Sequence, residues 1–295
     1  MPTQSLLDRL RSELASIQDA VLDLVAEVPI VYRDWGRGGS ILYLAPDWLW
    51  GEHGENTSQK RIIVHRLWEA WKPHFQLLIV NLPSAESKPA KTTVSFLDKI
   101  VALSEYPPGS TQQQVSNRIE GEVKKLMELL ERLAQVSKPG IIVAPDTNSL
   151  IANPELADYS VFGGGVPVTV ALLPTVLGEL DELKVVHRSE DFRKKVESII
   201  RRLKEMRRRG DVVEGVNGGS RVTVRFIAKE PRFDQTLSWL DPSNNDDRII
   251  ASALELQREN YSAIVILVTG DMNHQNKAAA ALLPYEEPPN RTGAS

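Results

Sequence analysis

Two apolar stripes with alternating steps of three and four residues run through the first half of the chain. The first stripe comprises Leu7, Leu10, Leu14, Ile17, Val21, Leu24 and Val28. The second comprises Ile119, Val123, Leu126, Leu130 and Leu133. Because this spacing places each set on one face of a helix, the sequence predicts two long helices that pack as an antiparallel hairpin. A homodimeric coiled coil is the alternative arrangement.

The region between the stripes is also predicted to be mainly helical, over residues 59–75 and 90–103. Five of the six tryptophans lie in this half, and we expect them to fill a core rather than to stack on bases. Residues 34–40 are turn-like. We therefore expect residues 1–137 to form a mainly α-helical N-terminal domain. It could hold a protein partner, bind RNA, cover a site or mediate dimerisation.

Beyond residue 137, short β-branched runs alternate with helical patterns. The runs are IIVA (141–144), VPVTVAL (166–172), RVTVRFI (221–227) and AIVILV (263–268). Such alternation is typical of an α/β domain in which helices connect parallel strands, and we expect this domain to span residues 138–295. Within it, Asn217-Gly218 predicts a hairpin turn that joins residues 211–214 to residues 221–226.

Composition narrows the classes of function. The chain has 295 residues, a net charge of −4 and no cysteine. The missing cysteines exclude disulfides, thiol nucleophiles and cysteine zinc sites, and they favour a reducing compartment, so we expect a cytoplasmic protein. No apolar run approaches the roughly 18–20 residues that cross a bilayer, and the amphipathic, charged N-terminus is unlike a signal peptide. A polyanion would have to bind at a local basic patch.

Acidic residues follow the predicted strands. Asp146 follows the first run, Glu179 lies in the helix after the second, and Asp271 follows the last. Asp246 and Asp247 open the helix before that last run. Each acid alone fits a helix cap, a first helical turn or a solvated face. Because parallel strands end at one edge of a sheet, the set together indicates a site for a cation, and oxygen ligands suit Mg²⁺ or Mn²⁺.

Four stretches carry a family resemblance: VAPDTNSLI, VLGELDELK, NNDDRIIASAL and LVTGDMNHQNKA. In this order they make residues 138–287 resemble a PIN-domain ribonuclease. The residues of these motifs are most similar to those of the PIN endonuclease of nonsense-mediated mRNA decay. We do not extend the resemblance to that pathway, because the N-terminal half gives no support for it.

The resemblance implies a parallel sheet flanked by helices and a nuclease site that depends on Mg²⁺ or Mn²⁺. By position, the implied metal ligands are Asp146, Glu179, Asp247 and Asp271. Asp247 is preferred to Asp246 because its spacing to the following Ile-Ala pair fits the family motif.

Other positions match family positions beside the acids. Asn148 and Thr269 match residues that hold the acids or the attacking water. Asn273 and Lys277 match the stretch after the last acid, where the resemblance implies contacts with RNA. The sequence departs from the family at Met272 and at His274, which replace the usual Arg and Leu. We expect His274, the only histidine next to a proposed acid, to lie on a helix surface, with a catalytic role as the alternative interpretation.

The most basic segment, residues 189–210, is the predicted RNA-binding region. Its candidate phosphate contacts are Arg193, Lys194, Arg201, Arg202, Arg208 and Arg209. An ordinary solvated helix face is the alternative interpretation of these charges.

The resulting hypothesis is a metal-dependent endoribonuclease that hydrolyses RNA and leaves a 5′-phosphate and a 3′-hydroxyl. One alternative is a catalytically silent PIN module that acts as an interaction scaffold. Another is a DNA nuclease of the related flap-cleaving type.

Overall fold

A computed structural model describes residues 4–33, 48–52, 54–104 and 106–290. The chain divides into two compact units, one of residues 7–136 and the other of residues 1–6 and 137–295. The predicted turn at residues 34–40, including Trp35, lies outside the described residues. In the described parts of the chain, no helix combines the length and apolar character needed to span a bilayer.

The first unit is mainly helical, as predicted. Its helices are α1 (Leu6–Glu27), α2 (Glu55–Ile79), α3 (Ser84–Val101) and α4 (Gln112–Val136). Two short strands, β1 (Ile30–Tyr32) and β2 (Trp48–Trp50), pair antiparallel. Both predicted apolar stripes are buried, the first along α1 and the second along α4.

Two contacts show that α1 and α4 run antiparallel. Near the start of α1, Arg11 pairs with Glu131 of α4 at 3.3 Å. Near the other end, the amide of Gln112 donates to the carbonyl of Ala26 at 2.9 Å. The antiparallel hairpin predicted from the two stripes is therefore present within one chain.

Aromatic side chains of α2 fill the centre of this unit. Trp68 and Trp71 are fully buried and stack with ring centroids 5.2 Å apart. The indole N–H of Trp71 donates to the carbonyl of Leu10 at 2.9 Å, which satisfies its polar atom inside the core. These two tryptophans are core residues, as predicted, whereas Trp48 and Trp50 in β2 are half-buried.

Ionisable side chains are buried among the described helices of this unit, including Glu122 of α4 and His74 of α2. His74 of α2 is 6% exposed. Burial, together with the positive charge of Arg9, lowers the pKa of His74 from 6.5 to about 4. The imidazole is therefore neutral in the folded protein at neutral pH.

The second unit is built on one sheet. Its strands are β3 (Gly140–Pro145), β4 (Val168–Leu172), β5 (Val216–Gly219), β6 (Val222–Phe226), β7 (Ala263–Val268) and β8 (Tyr285–Glu286). Their order is β5-β6-β4-β3-β7-β8, and every neighbouring pair is parallel except β5 and β6. The α/β class with a mainly parallel sheet is confirmed.

Helices connect and flank these strands. They are α5 (Thr147–Ala152), α6 (Pro174–Val186), α7 (Glu190–Arg209), α8 (Asn245–Glu259) and α9 (Met272–Ala280). Short 3₁₀ helices lie at Leu156–Gly163 and Phe233–Gln235. Helices α5, α6 and α9 begin directly after β3, β4 and β7, so three helix starts gather at the carboxyl edge of the sheet.

The predicted hairpin exists, but its register was wrong. β5 contains Asn217 and Gly218 instead of turning there, and the chain reverses at Ser220 and Arg221. Both of these residues adopt positive φ angles, 44° and 62°. Such a left-handed pair forms a tight reversal that suits the twist of a hairpin, so the first strand begins at Val216, not at residue 211.

Candidate active site

Asp146 occupies the centre of the carboxyl edge. Its backbone N–H donates to the carbonyl of Val268, which ties the end of β3 to the end of β7 at 2.9 Å. Its side chain caps α5 by accepting the N–H of Ser149 at 2.6 Å. Burial by itself raises the pKa of Asp146. Hydrogen bonding to His274, Thr269 and Ser149 outweighs burial, so the pKa lies below its ordinary value. The carboxylate is therefore held ionised although it is buried.

His274 lies beside Asp146, and the prediction that it is a surface residue was wrong. The side chain is 1% exposed, and its Nδ1 atom is 3.6 Å from Oδ2 of Asp146. Helix α9 turns this residue inward because Asp271 caps the helix and accepts the N–H of His274 at 2.9 Å. The usual apolar residue is thus replaced by an imidazole in contact with an acid.

Thr269 connects two of the predicted acids. It is fully buried, and its hydroxyl accepts the N–H of Asp271 at 3.1 Å. The same side chain is one of the groups that lower the pKa of Asp146. This placement agrees with the holding role that the resemblance implies, which stays a prediction.

Glu179 projects from the second turn of α6 toward α5 and α8. One carboxylate oxygen accepts a hydrogen bond from the hydroxyl of Thr147, and the other accepts the amide of Asn245 at 2.7 Å. Both oxygens are therefore engaged by polar side chains, one from each neighbouring helix. Neither partner was singled out from the sequence.

The two adjacent acids of α8 have different surroundings. Asp247 is buried: its Oδ1 pairs with the ammonium of Lys277 at 2.7 Å, and its Oδ2 accepts the N–H of Asp241 at 2.9 Å. Asp246 instead lines an open cavity next to Glu179. The spacing of the family motif predicts Asp247 as the metal ligand, whereas Asp246 is the acid of α8 that lines the cavity.

This cavity has a volume of about 770 Å³. It is lined by Asp146, Thr147, Asn148, Glu179, Glu182, Leu183, Val186, His187, Arg188, Ser189, Asn245, Asp246 and Ile249. The structure thus brings three sequence-predicted residues together here, Asp146, Asn148 and Glu179. Asp247 and Asp271 do not line it, and Asn273 lies exposed in the first turn of α9.

The donor chemistry of the cavity fits a hard divalent cation. Its carboxylate and amide groups offer oxygen ligands, which Mg²⁺ and Mn²⁺ prefer. As the side chains stand, no group of three or more His, Asp or Glu residues in the described ranges is arranged to hold a metal ion. The carboxylate oxygens of Glu179 and Asp247 instead contact neighbouring donors of the protein.

The basic helix α7 has one buried apolar stripe, formed by Val196, Ile199 and Leu203. Its predicted RNA contacts differ from one another. Arg193 donates to the carbonyl of His187 at 2.5 Å, so this guanidinium braces the turn before α7.

The remaining cations of α7 lie on its surface. Lys194 pairs with Glu190 at 2.8 Å, and Arg202 lies 3.5 Å from Glu155. The other predicted phosphate contacts, Arg201, Arg208 and Arg209, are exposed as well.

Residues 143–287 match the family model of the PIN domain. The match starts inside β3 and ends just after β8, so it covers the second half of β3, all the later strands and all the acids discussed above. It supports a PIN-domain family for this half of the chain, and hence the nuclease type of fold. No curated protein sequence matches the chain.

Several residues of the cavity were missed by sequence reasoning. Thr147 and Asn245 lie directly beside predicted acids, so their positions in the motifs were the available signal. His187, Arg188 and Ser189 lie in the turn between α6 and α7. No motif marks them, because only the packing of α6 and α7 brings this turn to the acids.

Proposed function

We propose that residues 138–295 form a metal-dependent endoribonuclease that hydrolyses RNA phosphodiester bonds. The observation that carries this proposal is the grouping of Asp146, Glu179 and Asp246 around one cavity at the carboxyl edge of a parallel sheet. A cation bound in this cavity would offset the negative charges of these acids. PIN domains are generally nucleases, so the family match supports phosphodiester hydrolysis as the class of reaction.

The chain's own residues would hold Mg²⁺ or Mn²⁺ through carboxylate oxygens. We assign Asp146 and Glu179 as ligands, with Asp247 and Asp271 as the further family positions and Asp246 as the acid that the cavity adds. When bound, such an ion activates water and offsets negative charge on the phosphate. Thr147 and Asn245 orient Glu179, and Ser149 and Thr269 orient Asp146.

The surface of α7 supports RNA as the substrate class. The whole chain carries a net charge of −4, so a polyanion needs a local basic surface to approach the acids. Exposed arginines of α7, together with Arg188 in the cavity lining, offer such a surface. The competing hypothesis of a DNA nuclease is tested by a matched DNA strand in the same assay.

One observation favours the silent scaffold as a second candidate. Asp247 is engaged on both oxygens, by Lys277 and by the backbone of Asp241, and is therefore not available to a metal as the side chains stand. In an active enzyme a bound cation would have to compete with the Lys277 ammonium. Metal binding, measured separately from cleavage, distinguishes the two candidates.

The test measures both RNA cleavage and Mn²⁺ binding. Single-stranded RNA and a matched DNA strand are incubated with the protein in Mn²⁺, in Mg²⁺ and in EDTA, beside Asp146→Asn and the control Asp181→Asn. Asp181 is an exposed acid of α6 that pairs with Lys184, three residues away, at 2.6 Å. We expect metal-dependent RNA cleavage by the wild type and Asp181→Asn, and none by Asp146→Asn. Absence of both cleavage and Mn²⁺ binding in the wild type would exclude the enzyme.

Three finer hypotheses accompany this proposal. They are the likeness to the endonuclease of nonsense-mediated mRNA decay, the cytoplasmic location, and a protein partner or dimer contact through the N-terminal helices. Each stays a prediction. The antiparallel contacts of α1 and α4 within one chain favour the hairpin over a coiled coil that uses both stripes between chains.

A further inference from the structure

The cavity beside Asp146 has a lining that metal-dependent hydrolysis alone does not explain. Besides acids and amides, it includes Leu183, Val186, His187 and Arg188, from the end of α6 and the turn that follows. Val186 is 65% exposed. A site for a cation and a phosphate requires polar groups only, whereas apolar and aromatic lining suits the non-polar part of a ligand. These residues therefore indicate a ligand with a planar or apolar group next to its phosphate.

His187 is held rigidly in this lining. Its ring stacks on Phe192, with centroids 3.9 Å apart and an interplanar angle of 28°. The N–H of Ser189 donates to Nδ1 of the ring at 3.2 Å, and Arg193 donates to the carbonyl of the same residue. Because Nδ1 accepts a hydrogen bond, a neutral ring carries its proton on Nε2. The imidazole is thus fixed in place and orientation before any ligand arrives.

We propose that His187 is a stacking platform for one unpaired nucleobase of a single-stranded RNA, beside the acids of the candidate active site. The choice of RNA as ligand rests on the proposed function. A base in a duplex is covered on both faces by its neighbours, so only an unpaired base can stack on a protein ring. Pre-organisation of the ring lowers the entropy cost of that contact. Arg188 supplies a cation next to the platform for the adjoining phosphate.

The first experiment measures binding without cleavage. Fluorescence anisotropy follows a short labelled oligouridylate in Ca²⁺, with wild type, His187→Leu and His187→Phe. His65→Leu is the control, since His65 is an exposed histidine of α2 in the other unit. We expect His187→Leu to weaken binding by about fivefold to 150-fold, the range typical of a base–aromatic stack. His187→Phe keeps a ring and stays near wild type, as does His65→Leu.

The second experiment tests whether His187 contacts one particular base of the RNA. A single abasic nucleotide is moved along the oligouridylate. At one position we expect the abasic site to weaken binding to the wild type as strongly as His187→Leu does. In His187→Leu the same abasic site then adds nothing, because the contact is already lost.

Several outcomes overturn the platform. In the first experiment, these outcomes are wild-type RNA affinity in His187→Leu, an equal loss of affinity in His187→Phe and His187→Leu, or no oligouridylate binding by the wild type. In the second experiment, the outcome is that the losses of affinity caused by His187→Leu and by the abasic site add up. Since none of these readouts requires cleavage, a protein that binds RNA in this manner but cleaves nothing would refute the proposed enzyme and leave the platform intact.

Discussion

Nδ1 of His274 lies 3.6 Å from Oδ2 of Asp146, and both side chains are buried. The other oxygen of Asp146 accepts the N–H of Ser149, so each oxygen faces a different neighbour. Nε2 of His274 is buried and has no hydrogen-bond partner within the described protein. The contact between this ring and the carboxylate of Asp146 lies inside the protein, and we infer that His274 positions that carboxylate.

Replacing His274 by leucine tests this relationship. The substitution removes a group that lowers the pKa of Asp146, so the ionised carboxylate becomes less favourable and less well oriented. We expect His274→Leu to bind Mn²⁺ about tenfold more weakly than the wild type, as measured by the free Mn²⁺ signal in electron paramagnetic resonance. His274→Asn keeps an N–H donor and should recover part of the affinity. Wild-type Mn²⁺ affinity in His274→Leu would refute the positioning role.

Substitutions at Asp246 and Asp247 show which of the two acids binds the metal and which stabilises the fold. Asp247→Asn weakens a buried contact with Lys277, so we expect the free energy of unfolding to fall by about 1–3 kcal/mol. Asp246→Asn changes a residue of the cavity lining, and we expect weaker Mn²⁺ binding with no change in stability. Urea unfolding and metal titration measure the two effects, with Asp181→Asn as the control. Unchanged Mn²⁺ affinity in Asp246→Asn would leave Asp247 as the candidate ligand from α8, beside Asp146 and Glu179.

The exposed arginines of α7 should govern the salt dependence of RNA binding. Each phosphate contact to a single strand contributes about 0.7 to the slope of log K against log salt concentration. We therefore expect the triple variant Arg201→Ala, Arg208→Ala and Arg209→Ala to reduce that slope by about 2 and to leave Mn²⁺ affinity unchanged. Arg61→Ala with Arg66→Ala, on the exposed surface of α2, is the control. A slope equal to that of the wild type would mean that α7 is only a solvated face.

The buried His74 makes the stability of the protein depend on pH. Its pKa is lower in the folded state, about 4, than the ordinary value of 6.5, so the unfolded chain takes up a proton first as the pH falls. The contribution of His74 to the free energy of unfolding is fully present above pH 6.5. It is lost as the pH falls from 6.5 to about 4, and the total loss is about 3 kcal/mol. Chemical unfolding across this window should show a smaller decline in His74→Leu than in the wild type. An equal decline would contradict the assignment, and His65→Leu serves as the control.

The strands and their acids could be predicted because the information is local. The runs at residues 141–144 and 263–268 became β3 and β7, and parallel pairing then placed Asp146 and Asp271 at one edge. The same locality revealed the two apolar stripes of α1 and α4. The strands follow from short continuous apolar runs, and the helices follow from apolar residues spaced by three and four.

Other features depend on partners that are distant in sequence. His274 follows a polar stretch, and only the cap at Asp271 and the position of α9 turn it against Asp146. The choice between Asp246 and Asp247 likewise depends on Lys277, 30 residues downstream of Asp247. The hairpin register was missed because Asn-Gly is a strong local signal, while Ser220 and Arg221 adopt a left-handed conformation that their residue types do not favour.

The pairing of β3 with β7 also bears on the order in which the site is made during synthesis. Asp146 is held by the carbonyl of Val268, and Thr269 and His274 complete its surroundings, so the carboxylate leaves the ribosome more than 100 residues before its supporting groups. Long-range strand pairing of this kind forms late in folding. A nascent chain whose β7 is still inside the ribosome therefore carries the first acid of the proposed nuclease with its contact to Ser149 but without Val268, Thr269 and His274. We expect activity only when the domain is complete.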